Sequence, residues 1–148
     1  MLYFSTVLAV YLLDQFSKHI VMAFLGPGSS IPVVKGVFHL TLVSNTGAAF
    51  GIFKERPMLF VVIAVLFSLL VIVFMIVKRR ALSMIDKISL SLILGGTLGN
   101  LTDRLRFGYV VDFLDFRVWP VFNVADSFIT VGAVLLAWSI LTGSQKNR

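Results

Sequence analysis

The 148-residue sequence contains no cysteine, only two histidines and few charged residues. The absence of cysteine excludes disulfides, a thiolate nucleophile and a cysteine-based metal site. His19 and His39 lack any metal-ligand spacing, and we expect neither a metal nor a cofactor. Charged residues make up 14% of the chain and hydrophobic residues 58%. A soluble domain of this size has no core that could bury so much apolar surface, so the sequence predicts a membrane protein.

The chain is strongly basic, with a formal net charge of +6. In a soluble protein this charge would indicate nucleic acid as a partner. In an apolar chain, lysine and arginine collect at the membrane edges and face anionic lipid. We therefore expect membrane lipid as a partner and no nucleic acid.

Four apolar segments predict transmembrane helices within a single integral membrane domain, residues 1–148. They cover residues 2–25, 58–77, 84–103 and 124–141. The segment 58–77 is the clearest, because it carries no charge and follows Pro57. The basic residues number six on one side of the membrane and seven on the other, so the raw count leaves the orientation open. The compact cluster of Lys78, Arg79 and Arg80 favours both termini in the cytoplasm.

Two connections on the outer side, residues 31–53 and 105–122, have the composition of β-strands. Phe38, Leu40 and Leu42 alternate with polar residues, and SNTG at 44–47 predicts a turn. The sequence GYVVDFLDFRV at 108–118 is also typical of a strand. Hydrocarbon does not tolerate an open strand edge, so we expect these segments to lie at the interface or to pair. The prediction is a small β platform on four helices.

Polar side chains near membrane depth need a structural or a functional explanation. Asp14 and Lys18 are spaced i, i+4, so they form an ion pair that is either structural or part of a polar site. Gly95 and Gly99 have the GxxxG spacing that favours close helix packing. Other candidates lie at predicted helix ends, where capping or anchoring competes with a functional role: Asn100, Asp103, Arg104, Asn123 and Asp126.

Two aspartates suggest a chemistry. Asp112 lies among apolar residues without a basic residue within four positions, whereas Asp115 has Arg117 on the same strand face. Asp126 follows 14 positions after Asp112, near the same membrane surface. Two carboxylates at close range share a proton and can act as general base and general acid in peptide hydrolysis. The helix dipole would keep Asp126 ionised and leave Asp112 more often protonated.

Two other classes of function compete with hydrolysis. A small proton-coupled membrane transporter would place acids in mid-helix along a path, whereas Asp112 and Asp126 lie at the rim. A non-catalytic assembly subunit would explain the glycines but not the paired acids. Other hydrolytic sites fit poorly, because the chain has no HExxH motif and no serine elbow.

Five ordered motifs carry a family resemblance along almost the whole chain. They are DQFSK at 14–18, SNTGAAFGIF at 44–53, GGTLGNLTDR at 95–104, GYVVDFLDF at 108–116 and FNVADS at 122–127. The sequence resembles the bacterial lipoprotein signal peptidases, also called signal peptidase II. The resemblance implies an all-α membrane protein with a small β part: four transmembrane helices with an extracytoplasmic β cradle and a short interfacial helix. The implied location is the bacterial cytoplasmic (inner) membrane, with the active site near the outer face.

The resemblance also implies an activity. It is that of an aspartic endopeptidase that removes the signal peptide from a diacylglyceryl-modified prolipoprotein, just before the lipidated cysteine. The family's catalytic pair falls on Asp112 and Asp126. Its other polar positions fall on Asp14, Asn45, Asn100, Arg104 and Asn123, and Lys18 and Asp103 lie in matching motifs.

Roles for the remaining positions are hypotheses. The three asparagines would donate to the substrate backbone or an oxyanion, and Arg104 would bind a carboxylate or ester oxygens. Gly47 would leave room for the lipidated cysteine, and a strand beside Asp112 would receive the substrate by strand addition. Inhibition by globomycin-type cyclic peptides is expected from the resemblance, and we expect a monomer.

Overall fold

Four helices and a three-stranded sheet form the part of the chain that the structure, a computed structural model, describes: residues 2–47 and 57–143. The helices are α1 (Leu2–Phe24), α2 (Pro57–Val77), α3 (Met84–Phe107) and α4 (Val124–Leu141). The strands are β1 (Ser30–Val34), β2 (Phe38–Asn45) and β3 (Val110–Asp115). The mostly helical fold with a small sheet agrees with the prediction. Residues 48–53 of the first outer segment lie outside the described ranges.

Helix α3 is the central element, because it packs against α1, α2 and α4. Within residues 2–47 and 57–143, three helical segments are long and apolar enough to cross a membrane: Tyr3–Phe24, Met58–Val77 and Val124–Leu141. The segment predicted at 84–103 is not among them, since α3 carries several charged and amide side chains. Many of its polar residues are buried against the neighbouring helices. The central position of α3 thus explains how a helix with low hydropathy fits among three apolar helices.

The ends of α3 are set by caps. At its start, Ser83 Oγ accepts from the Asp86 N–H at 3.2 Å, and the Asp86 carboxylate accepts from the Ser83 N–H at 2.9 Å. At its end, Gly108 has a left-handed φ of 79° and donates its N–H to the Arg104 carbonyl. The predicted end at residue 103 was wrong, because the helix continues until this glycine permits the turn. Residues 105–107 consequently belong to α3 and not to the outer segment.

Glycines of α3 let two helices approach it closely. A Cβ atom on Gly95 would lie 2.8 Å from Val10 Cβ of α1. One on Gly96 would lie 2.6 Å from the carbonyl oxygen of Ala125 in α4. At Gly99 it would meet the carboxylate of Asp14. The predicted close packing at the GxxxG spacing is confirmed, and it brings polar residues of three helices together.

The sheet is antiparallel in the order β1-β2-β3, which confirms the predicted pairing of the two outer segments. Ser44 and Asn45, which the turn signal placed outside a strand, continue β2 because they pair with Val111 and Val110. A hydrophobic cluster attaches the sheet to the end of α1. Its buried members are Val21, Leu25, Leu42, Val111 and Phe113. This attachment sets β3 beside the ends of α3 and α4.

We predict that Gly96→Ala lowers the free energy of unfolding by about 1–3 kcal/mol, because the new methyl group meets backbone of α4. Thermal unfolding in detergent micelles measures the change. Gly26→Ala is the matched control, since a Cβ there would have only Ser29 Oγ at 4.0 Å. Equal melting temperatures for the two variants would contradict the close approach of α3 and α4.

Candidate active site

A buried lysine lies at the centre of a polar cluster between α1 and α3. Lys18 is 1% exposed, and its Nζ atom lies 2.8 Å from Asp14 Oδ2 and 2.8 Å from Asp103 Oδ2. The same atom donates to Asn100 Oδ1 at 2.9 Å. The expected ion pair of Asp14 and Lys18 is present, and Asp103 completes it. Three oxygen partners satisfy the three N–H bonds of the ammonium, as its burial requires.

The two carboxylates that bind Lys18 also bind backbone of other elements. Asp14 Oδ1 accepts from the Ala125 N–H in the first turn of α4 at 2.9 Å. Asp103 Oδ2 accepts from the Val111 N–H of β3 at 3.1 Å. The residues that follow these two backbone donors in the chain are Asp126 and Asp112. One ionic cluster therefore fixes the backbone next to each predicted aspartate.

Three asparagines hold the carboxylates of Asp112 and Asp126. Asp112 accepts from Asn123 Nδ2 at 2.6 Å and from Asn45 Nδ2 at 2.8 Å. Asp126 Oδ1 accepts from Asn100 Nδ2 at 2.8 Å. Asn123 Nδ2 also donates to Asn100 Oδ1 at 3.1 Å, so a continuous chain of amides connects the two acids. Its Oδ1 caps α4 by accepting from the Asp126 N–H at 2.8 Å, as expected for an N-cap.

The electrostatics of Asp112 favour its protonated form. Burial raises the pKa of Asp112 to about 7, and the nearby charge of Asp126 acts in the same direction. The hydrogen bonds from Asn45 and Asn123 oppose this shift in pKa. A carboxyl that titrates near neutrality beside a second carboxylate can both give and take a proton at physiological pH. The arrangement is therefore suited to general acid–base chemistry.

Asp115 lies apart from this cluster, on the same strand. It accepts from Thr41 Oγ1 at 2.7 Å, and its Oδ2 lies 3.6 Å from Arg117 Nη1. The hydrogen bond from Thr41 holds the pKa of Asp115 below its ordinary value. The expected pairing of Asp115 with Arg117 is present. Asp115 is thus an ionised residue of the sheet, held by Thr41 and Arg117.

Gly47 and Arg104 lie at the edges of the polar cluster. The Gly47 N–H donates to Asn45 Oδ1 at 3.0 Å, which turns the amide nitrogen of Asn45 toward Asp112. Arg104 is half-buried, and its guanidinium lies 5.1 Å from the ring centroid of Phe60 in α2. This guanidinium belongs to none of the ion pairs among the described residues. Its charge nevertheless interacts with the carboxylates of Asp103, Asp112 and Asp126.

Sequence reasoning missed the part played by Gln15. Its Nε2 atom donates to Asp103 Oδ1 at 2.9 Å, and it lies 3.2 Å from both Asp14 Oδ2 and the Gly99 carbonyl oxygen. Gln15 therefore supports both carboxylates that bind Lys18. The only signal in the sequence is a second polar residue beside Asp14 in an apolar helix.

The predicted addition of a substrate strand beside Asp112 meets an obstacle. The Val111 N–H is bonded to Asp103, and the Phe113 N–H is bonded to the Phe122 carbonyl at 3.0 Å. Phe122 also forms an isolated bridge with Leu114. These donors of β3 are not available to a further strand. This expectation was wrong because the Asp103 side chain of α3 and the carbonyl of Phe122, just before α4, already accept from these donors.

The sequence profile described as Signal peptidase (SPase) II matches residues 6–142. The chain belongs to the signal peptidase II family. It is accordingly an aspartic peptidase and a membrane enzyme of bacterial type. The lipoprotein signal peptidase of Halothermothrix orenii is 54% identical over 136 residues, covering 90% of each chain. That of Pelotomaculum thermopropionicum is 48% identical over 147 residues, covering 99% of this chain and 96% of the relative.

A solved structure also resembles the fold of this signal peptidase II family member. It is that of a bacterial membrane enzyme obtained by the in meso method at 2.3 Å resolution. The TM-score is 0.89 at 29% sequence identity, and the match covers 99% of this chain and 91% of the other.

We predict that Lys18→Met lowers the free energy of unfolding by about 3–5 kcal/mol, because it leaves two buried carboxylates without their cation. Thermal unfolding in detergent at pH 7 measures the loss. Lys35→Met, at an exposed position of the hairpin, is the matched control and should melt like the wild type. A melting temperature for Lys18→Met close to that of the control would contradict the central role of the buried ammonium.

Proposed function

We propose that this protein removes the signal peptide from diacylglyceryl-modified prolipoproteins, and that Asp112 and Asp126 are its catalytic pair. The observation that carries the proposal is the pair itself: two buried carboxylates joined by amides, in a chain of the signal peptidase II family. The names of the two relatives as lipoprotein signal peptidases support the class of substrate. We place the scissile bond just before the lipidated cysteine.

The proposed reaction uses one water molecule. Asp126, ionised at the start of α4 where the helix dipole favours a negative charge, accepts a proton from the water. The water oxygen bonds to the carbonyl carbon that precedes the cysteine. Asp112 gives its proton to the leaving nitrogen, and the C–N bond breaks. Transfer of the proton from Asp126 to Asp112 then restores the pair for the next cycle.

The hydrogen bonds divide the three asparagines into two roles. Asn123 Nδ2 donates both of its N–H groups, one to Asn100 and one to Asp112. We therefore assign Asn123 to positioning these two side chains. The amide nitrogens of Asn45 and Asn100 each donate once among the described residues. Each keeps a second N–H for the substrate backbone or for the negative charge that develops on its oxygen.

Four further residues complete the proposed site. Arg104, which has no ion-pair partner among the described residues, is assigned to a carbonyl or ester oxygen of the substrate. Gly47 orients Asn45 and leaves space beside it. Asp14 and Lys18 act through the backbone and through Asn100, and are positioning residues. The proposed site needs no cofactor.

The proposed topology has four transmembrane helices with both termini in the cytoplasm. Helix α3 has 24 residues and is therefore about 36 Å long, enough to cross a hydrocarbon core of about 30 Å. Lys78, Arg79 and Arg80 lie at the end of α2 that is remote from the sheet, which favours this end as cytoplasmic. The sheet is then the extracytoplasmic β cradle, and the active site lies near the outer face. We propose a monomer in contact with membrane lipid, inhibited by globomycin-type cyclic peptides.

The transporter alternative gains no support from the geometry. Asp126 lies in the first turn of α4 and Asp112 on the sheet, so neither acid lies at the middle of a helix. Helix α2, in its span Met58–Val77, carries Ser68 as its single polar residue.

We predict that Asp112→Asn and Asp126→Asn each reduce cleavage of a diacylglyceryl-prolipoprotein at least roughly a thousandfold, because each removes one half of the acid–base pair. Purified variants in detergent are compared by gel assay, and thermal melts establish folding. Asp115→Asn, a carboxylate of the same strand outside the polar cluster, is the matched control and should cleave like the wild type. A folded Asp112→Asn variant with full activity would overturn the assignment of the pair.

We predict that kcat/KM falls as pH rises through about 7, by about tenfold per unit at higher pH, because Asp112 loses the proton that it donates. Because the pKa of Asp112 is raised to about 7, its protonated form is present below this pH and disappears above it. Initial rates between pH 5 and 9 measure the profile, with Asp115→Asn expected to give the same curve. A rate that rises steadily from pH 6 to 9 would contradict Asp112 as the acid.

A further inference from the structure

A groove in the apolar surface lies between α1 and α2, with α3 as its floor. It contains a cavity of about 340 Å³, lined by apolar side chains of all three helices that include Val7, Ile72, Met75, Leu94 and Leu98. A second cavity of about 520 Å³ shares Phe4, Val7 and Leu98 with the first and continues along α1 and α3 toward Thr102. The groove is therefore long, apolar and separate from the cluster around Lys18.

The end of this groove remote from the sheet is polar and positively charged. Tyr3 at the start of α1 and Arg79 just beyond the end of α2 both line the 340 Å³ cavity. Lys87, in the first turn of α3, has its Nζ atom 5.7 Å from the centroid of the Tyr3 ring. Two cations and a phenol from three helices thus converge at one end of an apolar groove.

We propose that this groove binds one anionic phospholipid, with its phosphate at Arg79 and Lys87 and an acyl chain along Val7, Leu94 and Leu98. Basic residues between helix ends attract anionic headgroups, whereas the apolar walls match a hydrocarbon chain. The charge argues against a signal peptide as the occupant, because the basic start of such a peptide would lie against the two cations. The proposal goes beyond the proposed function and does not depend on it.

Native mass spectrometry of the whole protein, released from micelles that contain equal amounts of phosphatidylglycerol and phosphatidylcholine with identical acyl chains, tests the proposal. We expect one retained phosphatidylglycerol per chain. The double variant Arg79→Gln/Lys87→Gln should weaken this binding about 30-fold, at roughly fivefold for each cation. The matched control, Lys78→Gln/Arg80→Gln, removes the same amount of charge from the turn that contains Arg79 and should retain most of the affinity.

A second pair of variants tests the apolar part of the groove. Ile76→Trp places a large side chain at an exposed position that lines the cavity, and should displace the lipid. Val77→Trp makes the same change at the next exposed position, which does not line it, and should bind as the wild type does. Both positions are exposed, so we expect wild-type melting temperatures.

Four results would overturn the proposal. They are equal retention of phosphatidylcholine, equal losses for the two double charge variants, equal binding by the two tryptophan variants, and displacement of the lipid by a peptide with a basic start and an apolar helix. The first would mean that the site does not select an anionic headgroup, and the second would mean unspecific attraction to the basic surface. The third would exclude the groove as the binding site, and the last would assign it to a peptide.

Discussion

The structure depends on the burial of one ammonium group. Lys18 has its charge inside the protein, where an unpaired ion is very costly, and it is balanced by Asp14, Asp103 and the amide of Asn100. Asp14 binds the backbone of α4 through its other oxygen, and Asp103 binds the backbone of β3 through the same Oδ2 that contacts Lys18, so the ion cluster connects four elements. Helices α1 and α3 approach closely enough for this contact because Gly95 and Gly99 carry no side chains. The cluster and the glycines thus depend on each other.

Charged and neutral partners are arranged in two layers around the acids. The ammonium of Lys18 contacts Asp14 and Asp103, whereas Asp112 and Asp126 receive amide hydrogen bonds. A cation in direct contact would stabilise the ionised form of either acid and so hold both of them deprotonated. Neutral amides fix the geometry and allow the pair to retain one proton. The amides are therefore compatible with the proposed acid–base chemistry, and the charged layer fixes the backbone beside both acids.

Much of the fold can be predicted from the sequence because a membrane permits few backbone arrangements. The uncharged run Met58–Val77 and the segment that starts at Asn123 give α2 and α4, and the exclusion of open edges from hydrocarbon predicts the pairing of the outer segments. The end of α3 was misplaced because the charges of Asp103 and Arg104 do not stop a helix, whereas Gly108 does.

Contacts between distant residues were harder to predict. The turn signal at Ser44 and Asn45 was overridden by pairing with β3, which no local pattern reveals. The meeting of Gln15 with Asp103 spans 88 positions and depends on the packing of α1 against α3. By contrast, the sequence indicated that Asp112 has partners from distant parts of the chain. It is an acid among apolar residues without a nearby cation, and burial of such a group requires such partners.

Both edges of the sheet carry features that hinder pairing with a further strand. β1 contains Pro32, which has no N–H, and a bulge lies between Pro32 and Val34. On β3, Asp103 and Phe122 occupy the backbone donors of Val111 and Phe113. A segment that paired with β3 at these positions would have to displace the Phe122 carbonyl or the Asp103 carboxylate, and the latter also binds Lys18.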